Sequence, residues 1–120
     1  MIIGTGIDLV DIGRFERSVT RTPRLLARLF TEAEQQLKLR SLAARYAAKE
    51  ALIKALGGSD GVYWTEIEIG SDPLGKPHFV LSGSTEAVVA ERGITALHLS
   101  MTHDAGLAAA YVIAERTDAR

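Results

Sequence analysis

The sequence predicts an α+β fold: a largely antiparallel sheet packed around one long helix. Three observations carry that prediction. The first ten residues read as a lone apolar strand, Thr31 to Leu56 has helical spacing closed by glycines, and from Thr65 the period shifts to the alternation of strands. Elements in the order strand, helices, hairpin, helix, hairpin suit α+β architecture. At 120 residues the chain suits a single domain, residues 1–120, with a modest core.

Each element has a local reason. Residues 2–10 are rich in isoleucine, leucine and valine. Asp11 can cap a short helix over 12–18, and "TPRLLARLF" reads as a second helical piece with Pro23 near its start. "TEAE" at 31–34 is a capping box, Thr31 answered by Glu34. A long helix is predicted from there to Leu56, with a break near Arg40–Ser41 and a left-handed stop at Gly57–Gly58. "TEIEIG" (65–70) alternates, "SDPLGKP" is turn chemistry, and "HFVLS" returns as the partner strand. Ser84 caps a helix ending near Gly93. "ALHLSM" and "LAAAYVIAE" are the last two strands, joined at Thr102–Gly106.

Composition narrows the function classes. Hydrophobic residues are 47% and charged residues 24%, ordinary for a globular domain. A formal charge of −1 gives no whole-molecule attraction to nucleic acid or to an anionic membrane. The absence of cysteine excludes disulfides and thiolate metal sites. No apolar run is long enough to span a bilayer and no stretch reads as a signal peptide, so the expected compartment is the cytoplasm. The charge is uneven, however. Between Arg14 and Phe30 five arginines (14, 17, 21, 24, 28) face one acid, Glu16, a balance of +4. A solvated helical face would explain this, as would a docking surface for an acidic partner.

Two anomalies point to chemistry. Asp8 lies in the middle of the apolar first strand, and a buried carboxylate without a partner costs several kcal/mol. On the long helix, Leu42, Tyr46, Ile53 and Leu56 form one stripe, with Arg45 and Lys49 in or beside it and Glu50 and Lys54 on its other margin. The opposite face is alanine: residues 43, 44, 47, 48, 51 and 55. Glu50 and Lys54 alone would make an ordinary i,i+4 pair worth about 0.3 kcal/mol. That reading leaves Arg45 and Lys49 unexplained. Two carboxylates from different elements are hard oxygen ligands suited to a magnesium ion that keeps water and meets substrate phosphate. Arg45, Lys49 and Lys54 would then meet phosphate oxygens. For Asp8 by itself, capping of the following helix is the simpler role.

Weaker signals agree. In "GKP" Gly75 lets backbone approach a ligand, Lys76 adds charge and Pro77 follows; a plain hairpin turn also explains it. Ser100, Thr102 and His103 cluster at a strand end without forming an assignable triad or zinc set. No phosphate-loop lysine signature or GxGxxG fingerprint is present.

Together, "GTGIDLVDIGRF", "FTEAE", "RYAAKEALIKAL", "GKP" and "LSMTHDAGLAAAYVI" resemble, in order and spacing, the holo-acyl-carrier-protein synthases, the small 4′-phosphopantetheinyl transferases. The resemblance runs from Ile2 to Glu115. It implies a 4′-phosphopantetheinyl transferase-like fold and transfer of the phosphopantetheine arm of coenzyme A to a serine of apo acyl carrier protein, for fatty acid or polyketide synthesis. It also implies magnesium on Asp8 and Glu50 and Lys54 at the pyrophosphate. Arg45 and His103 would hold the adenosine-side phosphate, and Gly75, Lys76, Pro77 and Ser100 would line the nucleotide pocket. The acidic carrier would dock on Arg14, Arg21, Arg24 and Arg28, and three copies would assemble as a homotrimer with sites between chains. Larger relatives carry a third acid where this chain has Val10, so two protein ligands are expected. Two other classes fit parts of the pattern: a non-catalytic module binding acidic carriers or nucleotides, and a magnesium-dependent phosphohydrolase.

Overall fold

The computed structural model describes residues 1–117. Strand β1 (Ile2–Asp11) leads into helix α1 (Ile12–Arg21) and helix α2 (Arg24–Leu29). Asp11 Oδ1 accepts from the Arg14 N–H at 2.8 Å, so the expected cap forms, and α1 runs one turn further than 12–18. The long helix α3 spans Leu39–Leu56 and ends on Gly57, whose φ of 82° is the left-handed stop. Strands β2 (Ile67–Ser71) and β3 (Pro77–Leu81) form a hairpin. Helix α4 (Gly83–Glu91) follows, and strands β4 (Ala96–Asp104) and β5 (Leu107–Glu115) form a second hairpin.

All pairings are antiparallel, but the strands divide into two sheets, β1-β5-β4 and β2-β3. The β4–β5 turn is tighter than Thr102–Gly106. It is Ala105–Gly106 alone, both with positive φ, as a two-residue hairpin requires.

The alanine face of α3 is what lets sheet and helix meet. Side chains alternate along β1, so Gly4, Gly6, Asp8 and Val10 share the face toward α3. A Cβ at Gly6 would collide with the Ala51 carbonyl oxygen, and one at Gly4 with that of Ala55. Glycine on the strand and alanine on the helix therefore allow backbone-to-backbone packing. Leu42, Leu52 and Leu56 are also buried in the core, and α3 packs against α1, β2, β4 and β5 as well as β1, so the helix is covered on several sides. On the opposite face of the three-stranded sheet, Ile7, Leu9 and Tyr111 are exposed.

Two expectations are corrected. The helix after "TEAE" does not begin there. The capping box forms, Glu34 N–H donating to Thr31 Oγ1 and Thr31 N–H to Glu34 Oε1, but it closes only a 3₁₀ turn at Glu34–Gln36. Leu37 and Lys38 are extended, so the break lies ahead of Leu39 rather than at Arg40–Ser41. The reason is Glu34: its carboxylate reaches the flank of α3, which it could not do as part of the same helix. Ser84 is likewise not the cap of α4. Ser82 holds that position, and the first turn is capped from outside by Glu66, whose Oε1 accepts from the Thr85 N–H and from the hydroxyls of Ser84 and Thr85.

Candidate active site

Asp8 and Glu50 line one cavity of about 520 Å³ between β1, α1, α2 and α3. Arg14 and Arg28 stand in its wall, as do Phe15, Leu25, Leu29, Tyr46 and Trp64. The close glycine–alanine packing sets Asp8 beside α3. Lys54 Nζ donates to Asp8 Oδ1 at 3.1 Å and to the Ile7 carbonyl at 3.0 Å. Tyr46, placed by Phe15 at 5.8 Å between ring centres, donates its hydroxyl to Glu50 Oε1 at 2.9 Å. Burial first, then the hydrogen bond and charge of Glu50 and the charge of Asp8, push the Tyr46 phenol from 10.0 up to about 12. It stays protonated at neutral pH and serves as a donor that orients Glu50.

The remaining expected residues fall in other places. Arg45 and His103 share a 200 Å³ cavity with Arg40, Ser41 and Thr102. Arg45 Nε is buried with no hydrogen-bond partner among the described residues. Lys76, Pro77 and Ser100 line a 610 Å³ cavity between the β2–β3 hairpin and β4, with His78, His98 and Tyr111. Gly75, at φ 84°, makes the turn that presents Lys76. Arg21 and Arg24 are exposed on the same segment as Arg14 and Arg28 but do not line the Asp8 cavity.

Lys49 is a correction. Its side chain is 0% exposed and its Nζ donates to Glu34 Oε1 (2.6 Å), Leu29 O (2.7 Å) and Trp64 O (3.0 Å). All three ammonium donors are used, so none is left for a phosphate. Burial holds its pKa below the ordinary 10.5, while the Glu34 carboxylate pulls it upward. Position on a helical wheel cannot reveal this, because it does not show which flank another element covers.

Sequence reasoning also missed Glu34 as a buried partner, Tyr46 as the orienter of Glu50, and Gly4 and Gly6 as the contact surface for α3. The glycines left a readable signal: they share the pleat side of Asp8 and face a run of alanines. Glu34 left none beyond its capping box.

Residues 4–113 match the model of the 4′-phosphopantetheinyl transferase superfamily, and the chain belongs to that superfamily. A holo-[acyl-carrier-protein] synthase of Leifsonia xyli is 60% identical over 116 residues, covering 97% of this chain and 98% of that one. The crystal structure of the holo-[acyl-carrier-protein] synthase from Neisseria meningitidis superposes with a TM-score of 0.90 at 34% identity, over 97% of this chain and 100% of that one. The Helicobacter pylori synthase in complex with coenzyme A does so with a TM-score of 0.82 at 33% identity, over 92% and 99%. Within the superfamily, the chain groups with the holo-acyl-carrier-protein synthases.

Proposed function

We propose that this chain transfers the 4′-phosphopantetheine group of coenzyme A to a serine hydroxyl of an apo acyl carrier protein, releasing adenosine 3′,5′-bisphosphate, with magnesium held by Asp8 and Glu50. The observation that carries this reading is the shared cavity: two carboxylates from different elements beside Arg14 and Arg28, with Lys54 on Asp8. An anion binder without a cation would not place two carboxylates next to phosphates.

The donor set fits magnesium. Among the described residues no group of three or more His, Asp or Glu forms a metal cluster. Two carboxylates leave positions for water and phosphate, as magnesium prefers. When bound, the ion supplies charge neutralisation on the pyrophosphate. Asp8 and Glu50 would hold it, and Tyr46 orients Glu50 through its bond to Oε1. Lys54 spends two of its three donors on Asp8 and Ile7 and keeps one for a phosphate oxygen. Arg45 and His103, which line one cavity, suit the adenosine-side phosphate. Gly75, Lys76, Pro77 and Ser100 suit the rest of the nucleotide. Arg14, Arg21, Arg24 and Arg28 are exposed and suit an acidic carrier.

In one chain the Asp8 cavity and the Lys76 cavity are lined by different residues. The exposed apolar face of Ile7, Leu9 and Tyr111 favours packing between copies, so a homotrimer that joins one chain's Asp8 cavity to another's Lys76 cavity is part of the proposal. No helix among the described residues is long and apolar enough to cross a membrane.

The test is the intact mass of apo acyl carrier protein after incubation with this chain, coenzyme A and magnesium, with a chelator control. A magnesium-dependent gain of one phosphopantetheine group is expected, and Glu50→Gln should lose both magnesium binding and turnover. No gain across several carriers, with coenzyme A still bound, would favour a binding module. Release of inorganic phosphate without transfer would favour a phosphohydrolase.

A further inference from the structure

Lys49 has no donor free for substrate, yet what it holds borders the site. Its ammonium sits 4.9 Å from the centre of the Phe30 ring and bonds the carbonyls of Leu29 and Trp64 as well as Glu34. Glu34 in turn accepts the Thr31 N–H at Oε1 and the Ile69 N–H at Oε2, each at 3.1 Å. One buried pair thus joins the end of α2, the capping-box turn, α3, the turn before β2, and β2 itself.

Two of those partners, Leu29 and Trp64, stand in the wall of the Asp8–Glu50 cavity. Arg28 precedes Leu29 on α2, and Glu50 follows Lys49 on α3. The bond from Lys49 to the Leu29 carbonyl thus ties the residue beside Arg28 to the residue beside Glu50. Neither the Arg45–His103 cavity nor the Lys76–Ser100 cavity contains a residue bonded by this pair. Buried ion pairs are weak contributors to net stability compared with apolar packing, so a positional role explains better why a charge is kept here.

We infer that the Glu34–Lys49 pair is a positioning device for the protein acceptor: it fixes the gap between the α2 wall, which carries Arg28, and the α3 face, which carries Glu50. The inference rests on the transferase reading, since it assigns the gap to a docked carrier. Lys49 and Glu34 touch no substrate and act through Leu29, Trp64 and Arg28.

The test uses Lys49→Met, the double variant Glu34→Gln with Lys49→Met, and Glu34→Gln alone. Trp64 is the only tryptophan, so its emission reports the wall without any substrate. Lys49→Met strands the Glu34 carboxylate and should lower Tm sharply. The double variant removes the stranded charge and should recover most of that loss. Its Leu29 and Trp64 carbonyls stay untethered, so the Trp64 emission should remain shifted and KM for the carrier should rise about tenfold while KM for coenzyme A stays within about twofold. Glu34→Gln keeps a carbonyl acceptor for Lys49 but removes its counter-ion and one of the two carboxylate acceptors, so Tm should fall. The Lys49 bonds to Leu29 and Trp64 persist, so emission and carrier KM should stay nearer the parent than in Lys49→Met.

A folded double variant with parental emission and carrier KM would overturn the inference. So would a rise in coenzyme A KM that matches the carrier's, which marks general loosening. Should the double variant not fold, Glu34→Gln decides: a carrier KM raised as far as in Lys49→Met would refute a role through the Lys49 tethers. Failure of the parent chain to modify any carrier would refute the transferase reading and the acceptor role with it. The emission of the variants separately decides whether the pair positions the wall.

Discussion

Two lysines on α3, five residues apart, each meet a carboxylate from another element, but their surroundings are opposite. Lys49 and Glu34 are 0% and 2% exposed; Lys54 and Asp8 are 56% and 17% exposed. The first pair is saturated, with every ammonium donor placed on a protein oxygen. The second is open, with one donor of Lys54 uncommitted and Asp8 bordering a cavity. Saturation marks a group that holds structure, and an open valence beside a cavity marks one available for chemistry. Residues 49–54 of α3 carry both kinds, Lys49 inward, Glu50 in the cavity wall and Lys54 on Asp8.

The largest expected effect breaks the buried pair. Glu34→Ala leaves the Lys49 ammonium buried without its counter-ion and should cost about 3–5 kcal/mol at neutral pH. The pH dependence gives a sharper check. Burial already holds the folded pKa of Lys49 below its unfolded value of 10.5. Between those two values the unfolded chain binds more protons, so this lysine's share of stability rises with pH across that window. Removing Glu34, which pulls the pKa upward, widens the window. Denaturant unfolding between neutral pH and pH 10 should show the variant regaining stability relative to the parent as pH rises. A pH-independent deficit would mean that lost packing, not the stranded charge, is the cause.

The open pair should respond the other way round. Lys54→Met removes two exposed hydrogen bonds, so stability should change by less than about 1 kcal/mol. Turnover should fall about a hundredfold, because a charged donor to the pyrophosphate acts where charge is redistributed. The rate of carrier mass gain at saturating coenzyme A checks this. A kcat within about twofold of the parent, outside the range expected for an electrostatic donor, would reduce Lys54 to an anchor for β1.

The same contrast explains what could be seen in the sequence. Asp8 stood out because a charge in an apolar strand is a local anomaly, and Glu50 and Lys54 because they sat on the wrong edge of an apolar stripe. The order of elements and the family were legible for the same reason: period, caps and motifs are local. Lys49 was misplaced because α3 is covered on several sides. Ten of its residues are buried, spread around the helix, so the wheel does not say which margin faces out. Glu34 was legible as a cap but not as a partner of Lys49 and Ile69, fifteen and thirty-five residues away. The division of the strands into two sheets was hidden too, since alternation gives the pleat of a strand but not its neighbour.

Glu66 supplies the smallest effect and isolates a third kind of carboxylate, one satisfied by hydrogen bonds with no cation on it among the described residues. It caps α4 from the turn before β2, accepting from the Thr85 hydroxyl and N–H and from the Ser84 hydroxyl. Those bonds favour the charged form, the Thr85 hydroxyl most, and hold its pKa below the ordinary 4.5. A carboxylate with a depressed folded pKa gives its stability above the unfolded value and loses it as pH falls toward the folded one. Glu66→Gln should therefore lower Tm slightly at neutral pH and remove part of the parent's decline below pH 4.5, so that the two unfolding curves converge in acid. Because Glu66 lies outside the Asp8 cavity, carrier modification by this variant should track its folded fraction alone. Curves that stay parallel down to acid would show that the cap works by shape rather than charge. In that case α4 would depend on Ser84 and Thr85 themselves, and Thr85→Val would become the larger perturbation.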